Sequence, residues 1–141
     1  MKVLVLNGPN LNMLGKRPKE HYGTLTLDEI NELIKKEADG FFEVSFYQSN
    51  YEGDIVTKIQ EALFSFDAIV INPGAYTHTS VAIHDALEMF TGPKIEVHLS
   101  KVDEREDFRK INFIRDLAKA TFSGEKEYSY LKAIKYLKDI K

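Results

Sequence analysis

Four short runs of apolar, β-branched and aromatic residues recur along the chain, at 3–6, 41–47, 68–71 and 94–99. Each is halted by polar or turn-forming residues: Asn7-Gly8-Pro9, Gln48-Ser49-Asn50, Asn72-Pro73-Gly74 and Ser100. The runs at 3–6 and 68–71 are apolar without alternation, as strands buried on both faces are, and such burial is the mark of a parallel sheet covered by helices. Helical spacing fills the gaps. Thr26-Leu27-Asp28-Glu29 reads as a capping box, followed by Leu27, Ile30, Leu33 and Ile34, and this helix ends near Ala38, before Gly40. Ile55, Ile59, Ala62 and Leu63 give a second amphipathic helix, and residues 80–90 a third. A fifth strand is expected at 119–122, and a last helix from Lys126 with Leu131, Ile134, Leu137 and Ile140 near one face. Strands alternating with helices predict an α/β flavodoxin-like three-layer sandwich with a five-stranded parallel sheet. At 141 residues the chain is expected to be a single domain, 1–141, with room for a real core.

One connection is out of proportion. Residues 7–23, NGPNLNMLGKRPKEHYG, join the first strand to the first helix with seventeen residues where an α/β unit spends a few. The stretch combines Gly and Pro with Asn7, Asn10 and Asn12, two cations at Lys16 and Arg17, and Tyr22. Long loops of this kind carry function more often than packing. Gly15 and Gly23 stand where hinges of a closing lid would be.

Composition narrows the classes. The 19 basic and 22 acidic residues are mixed along the chain, for a net charge of −3, so no basic footprint for nucleic acid or an anionic membrane exists. There is no cysteine, hence no disulfide or thiolate metal site. The opening MKVLVLNGPN is too short in apolar residues for a signal segment, and no run reaches membrane-spanning length. A cytoplasmic location is expected. Nucleotide motifs are missing too: no G-x-G-x-x-G follows a strand, and Gly15-Lys16 is followed by Arg17 rather than Ser or Thr.

In open α/β sheets, ligands bind beyond the carboxyl ends of the strands, where strand order reverses. The polar groups converge there: Asn7 and Asn10, Gln48 and Asn50, Asn72, then His98 and Ser100. Asn7, Asn10 and Asn72 could each serve only as turn residues that bond their own backbone. His78 could be a residue of the helix start, with Thr77 or Thr79 capping, and His84 and Asp85 a solvated face. Arg105 and Arg109, among Glu104, Glu106 and Asp107, read as a surface ion-pair cluster. Glu96 and His98 differ. They lie two apart in a strand and share a face, so the carboxylate can hold the imidazole, and polar groups are buried there only when paired or used.

Four blocks in fixed order, NGPNLNMLGKRPKEHYG, QSNYEG, INPGAYTHTSVAIHDAL and IEVHLSKVDEREDFR, closely resemble the signature blocks of type II 3-dehydroquinate dehydratase and span residues 7–109. The resemblance implies a cofactor-free trans elimination of water from 3-dehydroquinate, giving 3-dehydroshikimate through an enolate, in the shikimate pathway of aromatic amino acid biosynthesis. It also implies a homododecamer built as a tetramer of trimers. Carried over by position, Tyr22 is the base, Arg17 the cation that enables it, Asn10 a support for the enolate, and His98, oriented by Glu96, the acid. Asn72, His78 and Arg109 match ligands of the substrate hydroxyls, Leu99 and Ser100 the receivers of its carboxylate, and Asp85 a residue that reaches a neighbouring subunit's site. The chain departs from the family pattern at Tyr51, at His84, and after Arg109, where Lys110-Ile111-Asn112-Phe113 replaces a His-Ser-Tyr type continuation.

The chemistry makes its own demand. A free tyrosine titrates near about 10, so a tyrosine base working at neutral pH needs about 4 kcal/mol of help, which a nearby guanidinium in a water-poor site can largely supply.

Overall fold

The computed structural model describes residues 1–141. Five parallel strands, β1 (Lys2–Asn7), β2 (Glu43–Gln48), β3 (Ala68–Asn72), β4 (Lys94–His98) and β5 (Ala120–Ser123), lie in the order β2-β1-β3-β4-β5. This is the flavodoxin-like order, with its reversal between β1 and β3. The helices are α1 (Lys19–Tyr22), α2 (Leu27–Ala38), α3 (Glu52–Ser65), α4 (Val81–Met89) and α5 (Glu127–Ile140).

The period of two along each strand divides the core. Val3, Val5, Val70, Ile95 and Val97 face α2 and α5, meeting Ile30, Ile34, Ala133, Ile134 and Leu137. Leu4, Leu6, Ile69 and Ile71 face α3 and α4, meeting Ile55, Ile59, Ile83 and Leu87. Each β1 side chain is at most 1% exposed from Val3 onward, so the strand is a central one buried on both faces.

The capping box at Thr26 forms as expected: the Glu29 N–H donates to Thr26 Oγ1 at 3.2 Å and the Thr26 N–H to Glu29 Oε1 at 3.0 Å. At α4 the cap is Ser80, whose Oγ accepts from the Ile83 N–H at 2.9 Å, while Thr77 and Thr79 lie in a preceding 3-10 turn, Gly74–His78, and at its end. His78 therefore belongs to that turn and not to the helix. The second strand starts two residues later than its aromatic run, because the N–H groups of Phe41 and Phe42 both close on the Ala38 carbonyl and finish α2. The long loop holds more structure than its polarity suggests: a 3-10 turn, Leu11–Met13, and the short α1, with Leu11, Leu14 and Tyr22 turned into the core.

Strand register sets the edge where the loops gather. Asn7 stands opposite both Gln48 and Asn72, so three amides end side by side. There the chain crosses itself closely. A Cβ on Gly8 would lie 2.2 Å from the Pro73 carbonyl oxygen, a contact only glycine permits.

Candidate active site

A cavity of about 110 Å³ opens beyond the carboxyl ends of β1, β3 and β4, at the reversal of strand order. Asn10, Arg17 and Tyr22 from the long loop form one wall. Asn72 and His78 come from the end of β3 and its turn, His98, Leu99 and Ser100 from the end of β4, and Arg105 and Arg109 from the segment after it.

The Tyr22 side is cationic. The side chain is only 8% exposed, with its ring packed in the core and its oxygen toward the cavity wall. The Arg17 guanidinium carbon lies over the ring, 3.6 Å from its centroid. Arg105 Nη1 donates to the Tyr22 phenol oxygen at 2.7 Å and to Ser100 Oγ at 3.2 Å. Partial burial pulls the Arg17 guanidinium below its ordinary value; Tyr22 opposes this, and the charges of Arg105 and Arg109 add to it. Three like charges held together in a half-buried site favour an anion there.

The His98 side is built on a buried carboxylate. Glu96 is fully buried, and its Oε2 accepts from His98 Nε2 at 2.6 Å and from Asn112 Nδ2 at 2.6 Å. Its Oε1 accepts from Thr121 Oγ1 at 2.8 Å and from Arg115 Nε at 3.1 Å. Burial pushes the Glu96 carboxyl up, but hydrogen bonds from His98, Asn112 and Thr121 and the charge of His98 outweigh it and bring it to about 2. Because a carboxylate only accepts, His98 Nε2 carries the proton of that bond, and Nδ1 is the ring atom left for the cavity.

His78 is fixed in the same way. Its Nδ1–H donates to the Ile111 carbonyl at 2.6 Å, and burial lowers its affinity for a second proton, against the pull of that carbonyl. The neutral ring thus offers Nε2 as an acceptor. Asn72 is clamped at both ends of its amide: Oδ1 accepts from the Gly74 N–H at 3.1 Å, and Nδ2 donates to Tyr130 Oη at 3.0 Å. Tyr130 in turn donates to Asn7 Oδ1 at 2.5 Å. Asn10 sits in the left-handed region at φ 71°, its backbone N–H held by Asn50 Oδ1 at 3.0 Å.

The family model described as "Dehydroquinase class II" matches residues 1–138. The chain belongs to the class II dehydroquinase family. Membership makes it a hydro-lyase. It is 48% identical over 142 residues to the 3-dehydroquinate dehydratase of Caldanaerobacter subterraneus subsp. tengcongensis, covering 98% of this chain and 96% of that one. It is also 48% identical over 141 residues to the 3-dehydroquinate dehydratase of Caldicellulosiruptor bescii, covering 99% and 97%. The crystal structure of type II dehydroquinase from Butyrivibrio crossotus superposes with a TM-score of 0.94 at 48% identity, covering 98% of this chain and 97% of that one.

In this dehydroquinase, nine of the residues singled out by sequence line one cavity: Asn10, Arg17, Tyr22, Asn72, His78, His98, Leu99, Ser100 and Arg109. Glu96 does not reach it and instead lies under His98. Asp85 is elsewhere, on the outer side of α4, with His84 Nδ1 at 2.9 Å and two thirds of its side chain exposed. Asn7 lies beneath the cavity, bonded to Tyr130, and not in its lining.

Arg105 is the residue that sequence reasoning misjudged. It keeps the expected ion pair, with Nε 3.5 Å from Glu106 Oε1, but its side chain is only 13% exposed and its Nη1 is spent on Tyr22 and Ser100. The available signal was position, since it follows the His98 strand by a few residues and precedes Arg109 by four. Tyr130, Asn112 and Arg115 were also missed, because they act through Asn72 and Glu96 across long sequence separations.

Proposed function

We propose that this dehydroquinase acts on 3-dehydroquinate and removes water by trans elimination through an enolate, with Tyr22 as base and His98 as acid. The observation that carries the reading is the opposition within one cavity of a phenol oxygen bound by Arg105 and an imidazole seated on buried Glu96. The Tyr22 phenolate takes the proton on C2, and the C–H electron pair passes toward the neighbouring carbonyl, whose oxygen becomes the enolate. Arg105 donates to the oxygen that carries this charge, and Arg17 lies over the ring. Asn10, at the cavity wall, supports the enolate as a preorganised polar group.

The enolate then re-forms its carbonyl and expels the C1 hydroxyl, which takes a proton from His98 Nδ1 and departs as water. Glu96 supplies the countercharge that the imidazolium needs beforehand. Tyr22 ends protonated and His98 neutral, and one proton returned through solvent restores both. Leu99 and Ser100 receive the substrate carboxylate, while Asn72, His78 and Arg109 receive its hydroxyls. No step in this scheme calls on a cofactor.

The assembly belongs to the same proposal: a homododecamer, a tetramer of trimers, in which Asp85 reaches a neighbouring copy's cavity. Its exposed position on α4 suits that role, and Val81, Phe108 and Ile111 are all more than half exposed. A native mass measurement tests it. No helix is long and apolar enough to cross a membrane; a cytoplasmic role in aromatic amino acid biosynthesis remains part of the proposal. The purified protein given 3-dehydroquinate is expected to develop the conjugated enone absorbance of 3-dehydroshikimate. A folded protein that binds the substrate and yields none would be a binding module and not a catalyst.

A further inference from the structure

We propose that Arg115 is a positioning residue that ties the acid side of the site to its base side. It rests on the reading of His98 as acid and Tyr22 as base. Arg115 opens a 3-10 turn, Arg115–Leu117, six positions past the last signature block, and its guanidinium lies between two carboxylates. Its Nε donates to Glu96 Oε1 at 3.1 Å, and its Nη1 to Asp103 Oδ2 at 2.8 Å. Glu96 is fully buried, whereas the Asp103 side chain is half exposed. The turn itself is set by Asn112, whose Oδ1 accepts the N–H groups of Ile114 and Arg115 at 2.8 and 2.9 Å while its Nδ2 holds Glu96.

Asp103 lies two residues before Arg105, in the 3-10 turn Val102–Glu104 that Arg105 closes through its N–H to the Val102 carbonyl. A continuous path therefore runs from His98 through Glu96, Arg115 and Asp103 to Arg105 and Tyr22. At the inner end, Arg115 shares the charge of Glu96 with His98. The charged and titratable groups around His98 are Glu96 on its own strand, His78 from the turn after β3, Arg109 from the segment after β4, and Arg115 beyond Glu96. With Arg115 in place Glu96 is held at Oε1 as well as Oε2, which fixes the carboxylate on which the imidazole is seated. At the outer end, Arg115 fixes the turn from which Arg105 reaches Tyr22. A planar fork can hold two carboxylates at once, which a lysine ammonium does as a point charge only.

The test uses the full chain with Arg115→Gln, Arg115→Lys and Asp103→Asn. Turnover of 3-dehydroquinate is measured beside the proton resonance of the His98 Nε2–H, read without substrate. Arg115→Gln is expected to lower kcat about tenfold with KM within about twofold, and to move the His98 resonance as Glu96 is left to His98, Asn112 and Thr121. Asp103→Asn is expected to lower kcat while leaving that resonance in place, and Arg115→Lys to recover only part of the loss. A kcat for Arg115→Gln within about twofold of the parent, or an unmoved resonance, overturns the role at Glu96. An unchanged kcat for Asp103→Asn overturns the link to Tyr22. If Arg115→Gln fails to fold, the other two variants decide. Absent turnover by the parent protein would defeat the functional reading alone, because the resonance reports on Arg115 without substrate.

Discussion

Arg105 Nη1 lies 2.7 Å from the phenol oxygen of Tyr22, joining residues 83 positions apart in sequence. Arg17 approaches the same side chain over the face of its ring, 3.6 Å from the centroid. Two cations thus converge on one phenol, Arg105 at its oxygen and Arg17 over its ring. Replacing Arg105 by Gln is expected to lower kcat by about 100-fold or more, in line with loss of a donor aimed at developing charge. Arg105→Lys keeps the charge without the fork and should recover only part of it. Steady-state kinetics of both variants check this, and parental kcat in Arg105→Gln would contradict it.

Tyr22→Phe removes the only proposed base and, with it, the oxygen that Arg105 bonds, while the ring remains packed in the core. Turnover is expected to vanish while 3-dehydroquinate still binds. Calorimetric titration alongside the enone assay separates the two effects, and activity near the parental rate would remove Tyr22 from its role.

Glu96 gives a pH signature. Its carboxyl is brought from an ordinary 4.5 to about 2 in the folded protein, so between those values the unfolded chain binds more protons than the folded one. The contribution is complete above about pH 5 and is lost as pH falls through about 2, at a cost on the order of 3 kcal/mol. Urea midpoints at pH 7, 5 and 3 are expected to show the parent well above Glu96→Gln at pH 7 and the gap closing toward pH 3. A constant gap would show that the pair lacks this linkage.

Tyr130 is wholly buried, and burial pushes its phenol well above its ordinary value, against the hydrogen bond from Asn72, so it stays a neutral donor to Asn7. Tyr130→Phe leaves Asn7 Oδ1 and Asn72 Nδ2 without that partner and is expected to destabilise the fold by about 1–3 kcal/mol. Freed from one clamp, the Asn72 amide should bind substrate less well, raising KM more than it lowers kcat. Thermal melts and kinetics together check both parts.

Much of this was written locally. The apolar runs ending in Asn7, Asn72 and His98 announce central strands and the edge where they deliver polar groups, since period and punctuation are properties of adjacent residues. The Glu96–His98 pair was legible for the same reason, as two residues of one strand share a face. Arg105 was not. Its neighbours Glu104, Glu106 and Asp107 offer a sufficient local explanation for a cation, and only the folded chain shows that its Nη1 passes them by for Tyr22. The other three donors around Glu96 were equally hidden, because Asn112, Arg115 and Thr121 come from 16, 19 and 25 positions away. The loop lines the cavity but is less polar than its sequence suggests, since Leu11, Leu14 and Tyr22 are core residues within it.

That last feature makes the proposed base a structural member of the protein. Any lifting of the loop that carries Tyr22 out also draws a core aromatic into water, at about 2 kcal/mol for the ring. The unliganded chain would then rest shut, with an open fraction on the order of a few per cent. Substrate capture would be throttled by that fraction rather than by diffusion. A tight inhibitor would gain from the same arrangement, because escape would need the core to part before the ligand could leave.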